Sequence, residues 1–337
     1  MIIPRLNAVI ILSCLLLSGL SALEQGWSTQ SWDGRSYRLY TPSAASDHPD
    51  RALPVVVALH GAGDTYSNFA NVLNSNTEWR ATAESEGFFL VVPAHNNPNR
   101  DSHLSMNGSN LDAAATQQRI GHIINLVHAD LASKARVDLS RHYWIGFSEG
   151  GHVVDLAGFW FNLQITAVAV YAGGIPGKGE QLSQVARRCP HRFIVGQDDP
   201  FHDTTIAAAA EWIHVGNFLQ NWQIMGLSIP GVGHAFIHLN NHVSPQDTWN
   251  WMRSVSLPSS PAWPLHSPQP RRSITLSVTR HGASIDDFPS WESAPGPVAW
   301  QPPYDVIPAP LLPQHHWLGL DPDETHILQV FQPGSAQ

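Results

Sequence analysis

The stretch Arg141-His142-Tyr143-Trp144-Ile145-Gly146-Phe147-Ser148-Glu149-Gly150-Gly151 decides how this chain folds. Its first five residues read as a short buried strand, and Gly150 to Phe161 has helical composition. Between them, Gly-x-Ser-x-Gly marks a sharp strand-to-helix turn that holds a serine hydroxyl clear of its neighbours. The glycines are needed because such a turn strains the serine backbone and brings strand and helix too close for side chains. Three set positions in five are a weak pattern, so its surroundings carry the weight.

On either side of this turn, apolar runs alternate with helical segments from about residue 35 to 255. Leu53 to Leu59, Phe88 to Val92, Ala167 to Tyr171, Phe193 to Val195 and Ile224 to Ile229 are short, apolar and rich in β-branched residues. Runs without polar alternation suit strands covered on both faces. Segments such as Asp112 to Lys134 and Thr204 to Phe218 supply crossover helices. The expectation is an α/β fold: a mostly parallel sheet of about eight strands with helices on both faces.

A nucleophilic serine needs a base, a carboxylate to orient that base, and donors for the oxyanion. On such sheets the partners follow the serine in the order acid, then histidine, each just beyond a strand. Asp199 follows the Phe193 strand within Gly196-Gln197-Asp198-Asp199-Pro200, and its neighbour Asp198 is the alternative acid. His234 follows the Ile224 strand within Pro230-Gly231-Val232-Gly233-His234, whereas His202, His214, His238 and His242 lack that setting. Ser148, Asp199 and His234 are therefore the expected catalytic residues. His60-Gly61-Ala62-Gly63, after the Leu53 strand, places the backbone N–H of Ala62 beside that of Glu149 as expected oxyanion donors.

Composition narrows the function further. The net charge is -9, only two basic residues are lysines (Lys134 and Lys178), and no basic run exceeds two residues. A nucleic-acid partner is not expected. No dinucleotide or phosphate-binding glycine motif occurs, so no cofactor is expected. His315-His316 and Asp321-Pro322-Asp323 do not form a convincing ligand set, so neither is a metal.

Residues 1–22 read as a signal peptide. Arg5 precedes an apolar run from Ala8 to Leu20, and small residues follow at Ser21 and Ala22. That run is short for a membrane span, so a secreted or periplasmic protein without a membrane span after cleavage is expected. Cleavage leaves Cys189 as the sole cysteine, read as a small packed residue rather than a reactive thiol. Residues 23–256 form the expected catalytic domain. Residues 257–337 hold 15 of the 26 prolines and read as a Pro-rich C-terminal extension, with candidate strands at Ile274 to Val278 and His326 to Phe331.

Three stretches then carry a family resemblance: Leu59-His60-Gly61-Ala62-Gly63-Asp64; Trp79 with Gly87-Phe88-Phe89-Leu90-Val91-Val92-Pro93; and Val137-Asp138-Leu139-Ser140-Arg141 leading into the serine turn. In these, the chain resembles the secreted esterases related to polyhydroxybutyrate depolymerases and feruloyl esterases, over about residues 35 to 255. The resemblance implies the α/β-hydrolase fold and cleavage of carboxylic esters through an acyl-enzyme on Ser148. Only about 20 residues separate Tyr171 from Phe193, too few for a large lid. An open cleft that takes a bulky or polymeric ester is the expectation. A serine peptidase of the prolyl oligopeptidase type would use the same triad, and a non-catalytic binding protein would share only the fold.

Overall fold

The computed structural model describes residues 23–94, 103–107, 110–178, 181–185, 187–217, 224–257 and 326–327. The expected signal peptide, the Ile274 to Val278 strand, His315-His316 and Asp321 to Asp323 lie outside the described residues.

One sheet organises the domain. Its strands are β1 (Gly26–Trp32), β2 (Arg35–Thr41), β3 (Leu53–Leu59), β4 (Phe89–Pro93), β5 (Val137–Phe147), β6 (Ala167–Tyr171), β7 (His191–Gly196), β8 (Met225–Ile229) and the two-residue β9 (His326–Ile327). The spatial order is β1-β2-β4-β3-β5-β6-β7-β8-β9. The six strands from β4 to β8 pair in parallel, while β1, β2 and β9 pair antiparallel at the edges. The molecule is thus an α/β sheet of eight principal strands, the number expected, in the α/β-hydrolase arrangement that the resemblance implies.

Strand composition explains the pairing. Every residue of β3, β4 and β6 is buried, as expected for central strands with helices on both sides. Successive side chains alternate between two cores. Val55, Val57, Leu59, Trp144, Val168 and Phe193 point into one. Val56, Ala58, Tyr143, Ile145, Ala169 and Ile194 point into the other. The register of β3 against β5 shifts between Leu53 and Val55, where Pro54 has no N–H to offer the ladder.

The crossover helices are α1 (Tyr66–Ser75), α2 (Trp79–Glu86), α3 (Ala113–Asn125), α4 (Glu149–Trp160) and α5 (His202–Asn217), and α6 (Phe236–His242) and α7 (Pro245–Met252) follow β8. Thr65, Asp112 and Ser244 cap α1, α3 and α7 by accepting the backbone N–H of the third helical residue. The helical run after Asp112 is not uniform. A π-turn at Leu126–Leu131 interrupts it before the last turn, Ala132–Lys134. Within this π-turn Asp130 accepts the Tyr37 hydroxyl at 2.6 Å and the Lys134 ammonium at 2.8 Å. Among the described residues no helix is long and apolar enough to cross a membrane.

Candidate active site

Ser148 sits between β5 and α4 with φ 55° and ψ -118°, a backbone region that costs a non-glycine residue about 1–3 kcal/mol. The neighbouring glycines make that turn possible. A Cβ on Gly146 would lie 2.2 Å from the Gly150 carbonyl oxygen, and one on Gly150 would lie 2.4 Å from the Leu59 oxygen. The elbow is also stitched to the next strand, since the Ser148 N–H donates to the Tyr171 carbonyl at 2.8 Å.

A serine at a helix N-cap normally turns its oxygen onto the amides of the first turn. Ser148 makes no such bond. Its Oγ lies 2.9 Å from His234 Nε2 instead. On the far side of the ring, His234 Nδ1 lies 2.8 Å from Asp199 Oδ2. The carboxylate accepts there, so the neutral imidazole carries its proton on Nδ1 and presents Nε2 to the serine as an acceptor. Asp199 is fully buried and its Oδ1 accepts the Phe201 N–H at 2.7 Å. Asp198 is exposed, and its N–H donates to the Val232 carbonyl at 3.0 Å.

The loops that carry acid and base are joined before their side chains meet. Gln197 N–H donates to Ile229 O at 2.8 Å. A Cβ on Gly196 would meet the Val232 carbonyl oxygen at 1.9 Å, so only glycine admits this contact. Phe147 and Phe201 pack against the imidazole, with ring centroids 4.7 and 5.1 Å from that of His234. His234 nonetheless keeps 28% of its side-chain surface exposed, which leaves the base open to substrate and water.

The loop after β3 approaches from the other side. The Cβ position of Gly61 lies 3.1 Å from Ser148 Cβ, which brings Ala62 next to the nucleophile. Ala62 is exposed, and His60 is buried with Nδ1 at 2.8 Å from Gly61 O. Glu149 opens α4, so its amide belongs to the first turn, where no helical carbonyl accepts. Its side chain is buried and lies within electrostatic reach of Arg119. Ser148, His234 and Asp199 therefore form one hydrogen-bonded chain.

Of the other histidines singled out in the sequence, the His214 side chain lies outside the described residues and the remaining three stand apart from this hydrogen-bonded chain. His202 bridges Asp203 Oδ1 at 2.7 Å and Ser228 Oγ at 2.9 Å, while His238 and His242 are exposed. Cys189 is fully buried and its thiol is pushed up to about 11 by burial. Phe147 and Phe201, which hold the imidazole, follow from no motif in the sequence. Nor does the buried pair of Asp155 and Lys178 beneath the elbow, although Lys178 is one of only two lysines. Among the described residues no group of His, Cys, Asp and Glu side chains is arranged to hold a metal ion.

Comparison with known proteins agrees with this architecture. Residues 35–192, just under half of the chain, match the family model described as esterase PHB depolymerase. Feruloyl esterase B of Neurospora crassa is 28% identical over 148 residues, covering 44% of this chain and 46% of that protein. A bifunctional acetylxylan esterase/xylanase of Neocallimastix patriciarum is 28% identical over 118 residues, covering 35% of this chain and 15% of the relative. The chain thus spans less than half the length of these curated relatives. Among solved structures, an S-formylglutathione hydrolase from Agrobacterium tumefaciens superposes with a TM-score of 0.51 at 15% identity, over 69% of this chain and 96% of that one. A ferulic acid esterase from Anaeromyces mucronatus, solved in complex with ferulic acid, gives 0.51 at 13% identity over 71% and 92%. These two likenesses establish the fold. Over residues 35–192 the chain resembles esterases of the polyhydroxybutyrate depolymerase and feruloyl esterase type, and it has the α/β-hydrolase fold.

Proposed function

We propose that this protein is a secreted serine hydrolase that cleaves carboxylic esters through an acyl-enzyme formed on Ser148. The observation that carries this reading is the unbroken run from Ser148 Oγ through the His234 ring to buried Asp199, at 2.9 and 2.8 Å. In the first step His234 Nε2 takes the Ser148 proton as Oγ attacks the ester carbonyl, and Asp199 stabilises the imidazolium. The N–H groups of Ala62 and Glu149 receive the oxyanion, and the glycines around them let the carbonyl come close. The tetrahedral adduct collapses as His234 passes the proton to the departing alcohol. Water then attacks the acyl-serine with His234 again as base, releasing the acid and restoring Ser148.

An open site is supported by the exposure of the His234 side chain and of Ala62. A bulky or polymeric ester fits that exposure better than a small enclosed ligand. Secretion rests on the charge and length pattern of residues 1–22. The test is turnover of a short-chain nitrophenyl ester by purified protein. Ser148→Ala is expected to abolish turnover and labelling by a fluorophosphonate probe. Undiminished hydrolysis by that variant would refute the assignment.

A further inference from the structure

Beneath the elbow lies a second polar cluster that the acyl-transfer steps do not use. Asp155, two turns after Ser148 on α4, and Lys178 are both fully buried and pair at 2.6 Å. Asp155 Oδ2 also accepts the Ile175 N–H at 2.7 Å, and Oδ1 accepts the indole N–H of buried Trp212 at 2.7 Å. His191 Nε2 stands 3.5 Å from Oδ1. The Lys178 ammonium donates to the Ile175 carbonyl as well. From α5, partly buried Glu211 accepts the N–H groups of Gly177 at 2.6 Å and Lys178 at 3.1 Å.

Apart from the Trp212 and His191 contacts to Asp155, the bonds of this cluster reach residues 172–178, which form neither helix nor strand. The segment contains Ala172, Gly174 and Gly177 at φ 49°, 119° and 93°. Such a backbone holds its shape only when its surroundings over-determine it. It leaves β6 at the edge where the nucleophile stands. A Cβ on Gly173 would lie 2.7 Å from the Ser148 carbonyl oxygen, and His152 Nδ1 meets the Gly174 N–H at 3.0 Å. A fully buried lysine is rare, and a buried ion pair is a poor source of net stability once desolvation is counted. Its geometry here is better matched to fixing one loop conformation.

We infer that Lys178, through Asp155, is a positioning residue that locks residues 172–178 against the nucleophile helix and so shapes the substrate wall beside Ser148. The inference rests on the esterase reading for its kinetic consequence, but the locking itself does not. The pair variant Asp155→Asn/Lys178→Met removes both charges and keeps a carbonyl oxygen for the Ile175 N–H. In the full chain it is expected to speed amide hydrogen exchange over residues 173–178 about tenfold or more. KM for a nitrophenyl butyrate ester should rise about tenfold with kcat within about threefold, because the triad bonds are untouched. Simple loss of folded protein would lower apparent kcat and leave KM alone.

If the pair variant does not fold, Glu211→Ala removes an acceptor of the Gly177 and Lys178 amides and should raise KM about threefold. Unchanged exchange in a folded variant overturns the locking, and faster exchange with wild-type KM overturns the positioning role. If the wild-type protein fails to hydrolyse the ester at all, the esterase reading falls, and hydrogen exchange still decides the locking.

Discussion

Gly146 and Gly150 face each other across the serine turn with no room for a side chain between them: a Cβ on Gly146 would sit 2.2 Å from the Gly150 carbonyl oxygen. Backbone, unlike a flexible side chain, has nowhere to retreat. Gly146→Ala should therefore cost about 3 kcal/mol of stability through overpacking. Any protein that folds should show a displaced Ser148 and weak labelling. Urea unfolding monitored by tryptophan fluorescence measures the cost, and a wild-type midpoint would contradict the clash.

The two adjacent aspartates separate cleanly. Asp199→Asn replaces the buried acceptor of His234 Nδ1 and should lower kcat on a nitrophenyl ester roughly 10³- to 10⁴-fold by losing the tautomer and the imidazolium partner. Asp198→Asn changes an exposed side chain whose backbone holds the loop, and activity should stay within about twofold of wild type. Steady-state kinetics of the two variants decide between them.

Acid should unfold the domain through its buried histidines. Burial pushes His142 down to about 3, helped by neighbouring His128, and pushes His191 down to about 4. His142 Nε2 accepts the Trp144 indole N–H at 2.8 Å, so protonating it sets two donors against each other. Each folded pKa lies below the unfolded value of about 6.5, so the unfolded chain binds more protons. The stabilisation is complete above about pH 6.5 and is lost as pH falls toward the folded values. Each such group contributes a slope of about 1.4 kcal/mol per pH unit within that window. Urea midpoints from pH 7 to 4.5 measure the slope, which His142→Gln should reduce.

Cys189 should be silent toward thiol reagents while the protein is folded. Full burial and a thiol raised to about 11 leave almost no reactive thiolate at neutral pH. Peptide mapping after alkylation should find Cys189 unmodified in buffer and fully modified in denaturant. Modification at equal rates in both conditions would contradict the burial.

Much of the fold was readable from short-range pattern. Leu53 to Leu59 and Ala167 to Tyr171 are strands over their whole expected ranges, because a strand buried on both faces has a plain apolar signature. The β1–β2 hairpin escaped that reading. It lies at the sheet edge, where burial is partial, although Asp33-Gly34, at φ 48° and 72°, is a recognisable hairpin turn signal. The π-turn at Leu126–Leu131 has no signal either, since its residues are ordinary helix formers and its Asp130 is held by Tyr37 from a distant strand as well as by Lys134 one turn on.

The site divides along the same line. The elbow is legible in the chain alone, because its glycines are local necessities, and so is the order in which serine, acid and histidine follow their strands. Long-range packing settles that Asp199 rather than Asp198 meets His234, that Ser148 leaves its own helix uncapped to do so, and that Asp155 and Lys178 bond to the segment beside it. The difference is one of range. Backbone strain and strand patterning act between near neighbours, whereas the choice between two adjacent carboxylates depends on which one the fold turns inward across 35 residues of intervening chain.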